Sequence, residues 1–337
     1  MKVKVGEITK IKTGKLDANA SSADGKYPFF TCSKEPLKID TYSYDCECVL
    51  VAGNGDLNVK YYNGKFDAYQ RTYIIEDDSN GLLYMPYLYY YLEGYIEVLR
   101  KQSIGGVIKY IKLGNLTEAF IELPSIEEQK YIVKLMNISF ELISLRKNII
   151  DKIDELIKAR FVEMFGDENN SKCWDIIHVE DVADVQVGVV IKPAQYYTNE
   201  CKGIKAFRSL NIGEGYIKNS DWVYFSEDGN KKNNKSILKE NDILIVRSGA
   251  PGTSCVVTKE YEGCNAIDII IARPNCEKIN PYYLCTFTNM PHGKKQIVEG
   301  TGGAAQQHFN VGKYNKLQLM LPPKDLQFKF EQFLKQV

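Results

Sequence analysis

The chain has 337 residues, more than one hydrophobic core usually organises, so two domains are expected. Lys and Arg number 43, as do Asp and Glu, and this zero formal net charge excludes a polycationic protein of the histone type. The hydrophobic content of 44% excludes a disordered chain, and no apolar run reaches the roughly 18 residues that a membrane-spanning helix needs.

The cysteines and histidines predict neither disulfides nor a metal site. The nine Cys are odd in number and scattered, and the N-terminal residues lack the apolar run of a secretory signal. We therefore expect a cytoplasmic protein with reduced thiols. None of His178, His292 and His308 lies at zinc-finger spacing from two cysteines, so neither a metal nor another cofactor is expected.

An internal repeat organises the chain. Residues 4–14 (KVGEITKIKTG) align without a gap with residues 178–188 (HVEDVADVQVG), which places Gly14 on Gly188. Four further landmarks keep the same order: an apolar run followed by glycines (49–55 and 243–252), a Pro-Tyr pair (86–87 and 281–282), a Gly-Gly pair (105–106 and 302–303), and a Leu-Pro strand end followed by Gln129 or Gln327. Short β-rich runs and a Pro-Tyr-rich helix recur in each copy, so the pattern predicts a mixed α+β unit of about 165–195 residues present twice.

A long helix is predicted between the two copies. Ser125, followed by acidic residues, is typical of a helix N-terminus, and no Pro or Gly follows until Gly166, which is typical of a C-cap. Apolar residues recur at intervals of three and four, the spacing of a coiled-coil seam, with a shift of phase after Ile149. The predicted packing residues are Leu135, Ile138, Leu142, Leu145, Ile149, Ile153, Leu156 and Phe161.

The equivalent helix after the second Leu-Pro is expected to be truncated. It begins at Asp325, and the 13 residues from there to Val337 reach roughly 20 Å, against roughly 60 Å for the first helix. Most of the apolar seam would then be bare, which isolated soluble proteins rarely allow. We therefore expect another chain to cover it.

The Leu-Pro segments also carry a family resemblance. The strongest one is LGNLTEAFIELPSIEEQKYIV (113–133), and VGKYNKLQLMLPPKDLQFKF (311–330) is its weaker copy. Together with the heads of the two copies and ILIVRSGAPG (243–252), their tandem order resembles the specificity subunit of a type I restriction–modification system. The departures are the short second helix and Leu326 where the first copy has Glu128. The resemblance implies target-recognition domains at about 1–124 and 167–323, a spacer helix at 125–166, and the start of a distal helix at 324–337.

The resemblance implies a protein without catalytic activity of its own. In this family each domain reads one half of a split double-stranded DNA target, and two antiparallel helices set the spacing of the half-sites. Methyltransferase subunits and motor-nuclease subunits join this frame. The partner that covers the seam would then be a methyltransferase subunit or a second copy of the chain. Two modules on one frame suit such a role, because bivalency multiplies weak binding.

Basic, amide and aromatic side chains that lie close together are the candidate DNA contacts. Arg pairs with guanine and Asn or Gln with adenine through bidentate hydrogen bonds, while Lys contacts phosphates. For each residue, a structural role in a turn or on a solvated face is the alternative. The candidates in the first copy are Lys60, Tyr61, Tyr62, Asn63, Tyr69, Gln70 and Arg71. Those in the second copy are Arg208, Asn211, Lys231, Lys232, Lys235, Arg247, Ser248, Gln306 and Gln307.

Two other functions remain open at this point. The segment NPYY (280–283) is similar to the Asn-Pro-Pro-Tyr core of amino-methyltransferases, which makes a self-contained adenine-N6 methyltransferase an alternative. The second Pro and a Gly-rich loop for the methyl donor are absent, which counts against it. An inactive or recombining specificity cassette is the other alternative, because a short second helix would suit it.

Overall fold

The computed structural model describes residues 1–199, 203–300 and 309–337. This part of the chain divides into two compact units, Met1–Lys147 (unit 1) and Asn148–Val337 (unit 2). Each unit is a mixture of short strands and helices, as the sequence predicts.

Unit 1 is a mixed sheet with helices. Its strands are β1 (Lys2–Lys4), β2 (Thr9–Thr13), β3 (Tyr27–Phe30), β4 (Leu37–Ile39), β5 (Tyr44–Ala52), β6 (Val59–Ala68), β7 (Thr72–Asp77) and β8 (Phe120–Glu122). Its helices are α1 (Val5–Ile8), α2 (Met85–Gln102), α3 (Leu113–Thr117) and the first part of α4 (Ile126–Phe165). The main sheet has the order β2-β7-β5-β6-β3-β4, while β1 pairs separately with β8.

The second half of the central strand β5, residues 48–52, is buried on both faces, because its side chains alternate between two hydrophobic clusters. Val49 and Val51 point into one cluster, to which α2 contributes leucines at positions 88, 92 and 99. This spacing of four and seven residues lies on one face of a helix, so α2 covers that side of the sheet. Leu50 points into the other cluster, where Phe30 and Phe66 surround it.

The described part of unit 2 contains three sheets. The strands are β9 (Asp175–His178), β10 (Ala183–Val187), β11 (Ile204–Phe207), β12 (Val223–Phe225), β13 (Ile243–Val246), β14 (Ser254–Val256), β15 (Asn265–Ala266), β16 (Ile269–Pro274) and β17 (Gln318–Leu321). The helices, besides the end of α4, are α5 (Glu227–Lys232), α6 (Pro281–Asn289), α7 (Pro291–Gly300), α8 (Val311–Asn315) and α9 (Lys324–Leu334). The sheet orders are β10-β16-β13-β14, β12-β11-β15 and β17-β9.

The same strand pairings occur in both units. The first strand of each unit pairs antiparallel with the last, as β1 with β8 and as β9 with β17. The order β2-β7-β5-β6 in unit 1 corresponds to β10-β16-β13-β14 in unit 2. A parallel strand pairing also recurs, of β3 with β6 in unit 1 and of β11 with β15 in unit 2. The repeat seen in the sequence is therefore a repeat of topology.

A close backbone approach explains why both copies have Gly at one aligned position. A Cβ atom on Gly14 would lie 2.2 Å from the carbonyl oxygen of Ala68, and one on Gly188 would lie 2.4 Å from that of Ala266. No side chain fits at these distances, so only glycine, which has no Cβ atom, is compatible with this backbone approach.

A buried glutamine joins the start of α4 to the start of α2. The side chain of Gln129 has no exposed surface. Its oxygen accepts a hydrogen bond from the Tyr84 N–H at 2.8 Å, and its nitrogen donates to the carbonyls of Leu82 (2.8 Å) and Pro124 (2.9 Å). All of these partners are backbone groups of unit 1, so the amide ties the two helix starts together through the main chain.

The same joint recurs in unit 2. The oxygen of the fully buried Gln327 accepts from the Asn280 N–H at 2.8 Å, and its nitrogen donates to the Pro322 carbonyl at 2.7 Å. Tyr84 and Asn280 are thus equivalent residues, and they are the N-caps of α2 and α6.

This equivalence corrects one detail of the sequence alignment. Pro86 is the second residue of α2, whereas Pro281 is the first residue of α6. The pairing of these two prolines is therefore one residue out of register. Proline is tolerated at both positions because the first turn of a helix has no intrahelical acceptor for its N–H groups.

The predicted long helix is confirmed as α4. The Ser125 N–H donates to the Glu128 carboxylate at 3.0 Å, and the Glu128 N–H donates back to the Ser125 hydroxyl at 3.3 Å, so a capping box begins the helix. Gly166 follows the last residue with a φ of +91°, a left-handed conformation that favours glycine at a helix end.

Candidate nucleic-acid interface

Three loops of unit 1 meet at one end of its main sheet. The turn after β5 is central, because Gly53 donates its N–H to the Arg71 carbonyl at 2.7 Å and accepts from the Ile111 N–H at 2.9 Å. It thereby joins the turn between β6 and β7 to the segment that follows α2. We call the residues 53–56, 69–71 and 103–111 the loop cluster of unit 1.

Two of the predicted DNA contacts, Gln70 and Arg71, have exposed side chains in this cluster. The backbone of Gln70 is fixed by a bond from its N–H to the Leu16 carbonyl at 2.9 Å, while its side chain is exposed. The guanidinium of Arg71 is also exposed and forms no hydrogen bond or ion pair within unit 1, all of whose residues are described. Tyr69 is half-buried. A fixed backbone with unoccupied amide and guanidinium groups is suited to reading base edges.

The predicted contacts on β6 divide between the two faces of the strand. Tyr61 and Asn63 are exposed on one face, and the Tyr61 hydroxyl donates to the Glu47 carboxylate at 2.7 Å. Burial, together with this bond, raises the pKa of Tyr61, so it stays protonated as a donor. On the other face, Tyr62 packs with its ring centroid 5.1 Å from that of Phe30. Tyr62 is thus part of a hydrophobic cluster.

Lys60 lies on the same face as Tyr62. Its ammonium group contacts the Asn58 side-chain oxygen, and burial lowers the pKa of Lys60. The charge of Lys60 is therefore only partly available to an external phosphate.

A basic segment in unit 2 is open to solvent. Lys231, Lys232 and Lys235 are exposed at the end of α5 and in the turn after it, and their ammonium groups form no ion pair with any described residue. Three unpaired cations within five residues are suited to phosphate contact.

Sequence reasoning missed the residue that holds this basic segment. The side chain of Asn265 is fully buried; its nitrogen donates to the Asn230 side-chain oxygen at 2.6 Å, and its oxygen accepts from the Ser236 hydroxyl at 2.7 Å. These two partners flank the lysines. Nothing in the sequence marks Asn265, because its partners lie about 30 residues away and are brought together only by the fold.

Two arginines predicted to contact DNA are already bound by their own unit. Arg247 donates to the Asp268 carboxylate at 2.6 Å and to the Phe309 carbonyl at 3.1 Å. Arg208 donates to the Asp221 carbonyl, and its Nε atom is buried. These groups fix loops in the described conformation.

The other predicted DNA contacts of unit 2 are either partly or fully buried or lie outside the described residues. Asn211 is fully buried and bridges its turn, accepting from the Arg208 N–H at 2.9 Å and donating to the Ser220 carbonyl at 2.7 Å. Ser248 is half-buried. Gln306 and Gln307 lie outside the described residues, as does the second Gly-Gly pair.

The apolar seam of α4 is open along most of its length. Its exposed members are Leu135, Ile138, Leu142, Leu145, Ile149 and Leu156. Ile153 is half-buried, and Phe161 is fully buried in unit 2, where its ring stacks on Tyr283 with centroids 5.5 Å apart.

The methyltransferase-like segment NPYY has a structural explanation. The Asn280 side chain accepts from the Tyr282 and Tyr283 N–H groups at 2.9 and 3.3 Å, and it donates to the Glu331 carboxylate at 2.6 Å. Burial acts to raise the pKa of Glu331, but the bonds from Lys335 and Asn280 outweigh it and lower that pKa, which keeps the acceptor ionised. Asn280 therefore caps α6, and both ends of its amide are occupied.

The described residues provide neither a metal site nor a membrane-spanning helix. No group of three or more His, Cys, Asp or Glu side chains there is placed to hold a metal ion. No helix in the described part of the chain is long and apolar enough to cross a membrane.

The model of the type I restriction modification DNA specificity domain matches the sequence twice, over residues 1–155 and 172–337. The chain belongs to this family. Both members of the internal repeat are thus specificity domains, and the resemblance that rests on the Leu-Pro segments is confirmed.

Curated relatives of this specificity-domain protein are specificity subunits. The chain is 40% identical over 156 residues to the type I restriction enzyme EcoDI specificity subunit of Escherichia coli, a match that covers 46% of this chain and 34% of that protein. It is 24% identical over 269 residues to the MjaVIII specificity subunit of Methanocaldococcus jannaschii, covering 72% of this chain and 62% of that protein. The chain thus spans less than two thirds of the length of either relative.

Solved structures share the fold. The specificity subunit from M. genitalium aligns with a TM-score of 0.61 at 15% identity, over all of this chain and 90% of the other. A chain from a study of complex assembly and conformational transition of the type I system aligns with a TM-score of 0.54 at 16% identity, over all of this chain and 90% of the other. At these identities the likeness establishes the fold, which includes the long helix.

Proposed function

We propose that this chain is the DNA sequence-recognition subunit of a type I restriction–modification complex. The duplication carries the proposal, because two specificity domains of one topology differ in their loops. The turn between β6 and β7 contains Gln70 and Arg71, whereas the equivalent turn between β15 and β16 contains Asp268. Such an arrangement suits two different half-sites in one double-stranded target. Base edges in the major groove would be read by hydrogen bonds, because only there does each base pair have its own pattern of donors and acceptors.

We assign the contacts by what each side chain already binds. Gln70 and Arg71 have free polar groups and are proposed to contact bases, and Lys231, Lys232 and Lys235 are proposed to contact phosphates. Arg208, Asn211 and Arg247 are instead proposed to hold the loops that present such contacts, because their groups are occupied within unit 2.

We propose that catalysis belongs to partner subunits. Methyltransferase subunits would bind the exposed seam of α4, and motor-nuclease subunits would join them, so the isolated chain is expected to transfer no methyl group and to cut no DNA. The capping role of Asn280 supports this, since its amide is not free to hold a target base. Methyl transfer by the chain purified without partners would contradict it.

The methylated motif in the DNA of cells that carry this chain and its neighbouring methyltransferase tests the proposal. We expect a bipartite motif. The Arg71→Ala variant should relax one half of that motif and leave the other intact, with a loss of discrimination of about 1–3 kcal/mol if the arginine binds guanine in a bidentate way.

Lys10→Ala is the matched control, because Lys10 is an exposed cation of unit 1 outside the loop cluster. It should leave the motif unchanged. A motif that is not bipartite would count against the proposal that each unit recognises its own half-site. So would relaxation of both halves of the motif by Arg71→Ala.

A further inference from the structure

A hairpin in the loop cluster of unit 1 carries two apolar side chains at its tip. Ile104 and Tyr110 pair through mutual backbone hydrogen bonds of 2.9 and 2.8 Å, and the chain turns between them. Val107 at this turn has a relative exposure of 104% and Ile108 one of 63%. No other part of unit 1 covers them, although water is an unfavourable environment for both.

The hairpin is held rigidly at its base. The Gly55 N–H donates to the Lys109 carbonyl at 2.9 Å, and the Tyr73 hydroxyl donates to the Ile111 carbonyl at 3.2 Å. Gly105, with a φ of +115°, allows the tight turn, because other residues are strained in that conformation. The base of the hairpin is thus fixed, and the β-branched side chains at the tip have few rotamers to lose on binding.

Unpaired positive charge lies on both sides of the tip in the sequence. Residues 98–117 contain four Lys or Arg and no Asp or Glu, although the chain as a whole has no net charge. Arg100 is bound to Glu97 and Asp56. The other three cations form no ion pair within unit 1, all of whose residues are described: Lys101, Lys109 and Lys112.

We propose that this tip is a DNA wedge, in which Val107 and Ile108 insert between neighbouring base pairs while the lysines bind the flanking phosphates. This inference rests on the proposed function. Apolar wedges of this kind unstack a base step and bend the duplex, and the burial of their side chains offsets the loss of stacking. Unit 1 would then recognise the deformability of its half-site as well as its base edges.

A protein partner fits this surface less well than DNA does. Stable protein interfaces bury about 800 Å² on each partner, whereas the tip offers two adjacent side chains on a narrow turn. Three unpaired lysines in a segment without acidic residues match a polyanion, and a two-residue tip matches the space between two base pairs.

The full chain in complex with its methyltransferase subunits provides the test. The probe is a duplex that contains the motif found by methylation sequencing. 2-Aminopurine is placed in turn at each position of the first half-site except the methylated adenine. Wild-type complex should raise the fluorescence at one step, because unstacked 2-aminopurine is brighter than stacked.

The variant Val107→Ala/Ile108→Ala should abolish this rise and weaken target binding about tenfold. Because no charge changes, the dependence of affinity on salt should keep its slope. Lys109→Gln should instead reduce that slope and retain the fluorescence signal. The control Val98→Ala, which removes an exposed valine from α2, should change neither quantity.

Unchanged fluorescence and affinity in the double variant would overturn the wedge. So would loss of methyltransferase binding by the double variant in the absence of DNA, since the tip would then be a protein contact. Failure of the wild-type complex to discriminate the motif from a scrambled duplex would overturn the proposed function itself, together with the wedge.

Discussion

The role of a polar side chain in this protein depends on whether it already forms hydrogen bonds or ion pairs within its own unit. Arg71 and Arg247 are the same residue type, and both follow from the sequence as candidates for guanine recognition. The first has a free guanidinium, whereas the second is bound to Asp268 and to the Phe309 carbonyl. Their residue type predicts what they can bind, and only the fold determines what remains available.

A histidine in unit 2 predicts a pH dependence of stability. The ring of His292 packs against Phe287 with centroids 4.7 Å apart, and its Nε2 atom is buried without a partner in the described structure. Burial lowers the pKa of His292 below its ordinary value of 6.5, against the opposing effect of Glu168 and Asp167. The folded state therefore favours the neutral imidazole.

The sign of the effect follows from proton binding. Below about pH 6.5 the unfolded chain binds a proton that the folded chain resists, so the free energy of unfolding should decrease on acidification through this range. His292→Phe should flatten that decrease. Urea unfolding followed by tryptophan fluorescence measures it, because both tryptophans, Trp174 and Trp222, belong to unit 2. His178→Gln, at a half-buried position, is the control. An equal slope in wild type and His292→Phe would contradict the prediction.

At the scale of elements, the joint between the Pro-Tyr-rich helix and the helix after Leu-Pro is the most informative feature. It occurs twice, with Gln129 in α4 and Gln327 in α9, and in each case the amide is fully buried. Repeated geometry of this kind indicates that both specificity domains attach to their helices in one way.

Removing the amide should destabilise unit 1. In Gln129→Ala, the Tyr84 N–H and the carbonyls of Leu82 and Pro124 lose their partner, and we expect a loss of about 1–3 kcal/mol in the free energy of unfolding. Urea unfolding followed by circular dichroism measures this loss. The exposed neighbour Glu127 supplies the control Glu127→Ala, which should stay within about 0.5 kcal/mol of wild type. Equal stability of the two variants would show that the amide is dispensable.

The elements could be predicted from the sequence better than the contacts could. Periodicity and an absence of Pro and Gly identify α4, because both are local properties of the chain. The repeat also follows from the sequence, and the Gly14 and Gly188 positions reflect a real backbone constraint. The pairing of Pro86 with Pro281 was wrong by one residue, because equivalence there is set by the N-caps. Asn265 and the hairpin tip were missed, because long-range contacts and exposure leave no local pattern.

At the scale of the whole molecule, the apolar seam of α4 is the feature that a single chain leaves unexplained. Leu142 and Leu145 are about half exposed. Side chains of this size are normally buried in an interface when they form a continuous stripe. We therefore propose that the stripe serves assembly rather than the stability of the subunit.

Charged substitutions in the stripe should disrupt assembly without changing the stability of the folded subunit. Leu142→Glu/Leu145→Glu should prevent assembly with the methyltransferase subunits or with a second copy, because a carboxylate would be buried without a partner. The unfolding of unit 1 should change by less than about 0.5 kcal/mol per substitution. Light scattering coupled to gel filtration, with and without the methyltransferase, measures the assembly. Lys147→Glu is the charge-changing control on the same helix, and intact assembly of the double variant would contradict an interface at this stripe.

The glutamine joint has a consequence for how recognition domains can be exchanged. Each glutamine binds only main-chain atoms of the neighbouring domain, and these atoms are present whatever side chains that domain carries. A recombined domain with an entirely different recognition surface can therefore attach through the same bonds, provided that its backbone follows the same path. Grafts that keep the junctions at the Leu-Pro turn and at the start of the Pro-Tyr-rich helix should accept new half-site specificities without redesign of the attachment.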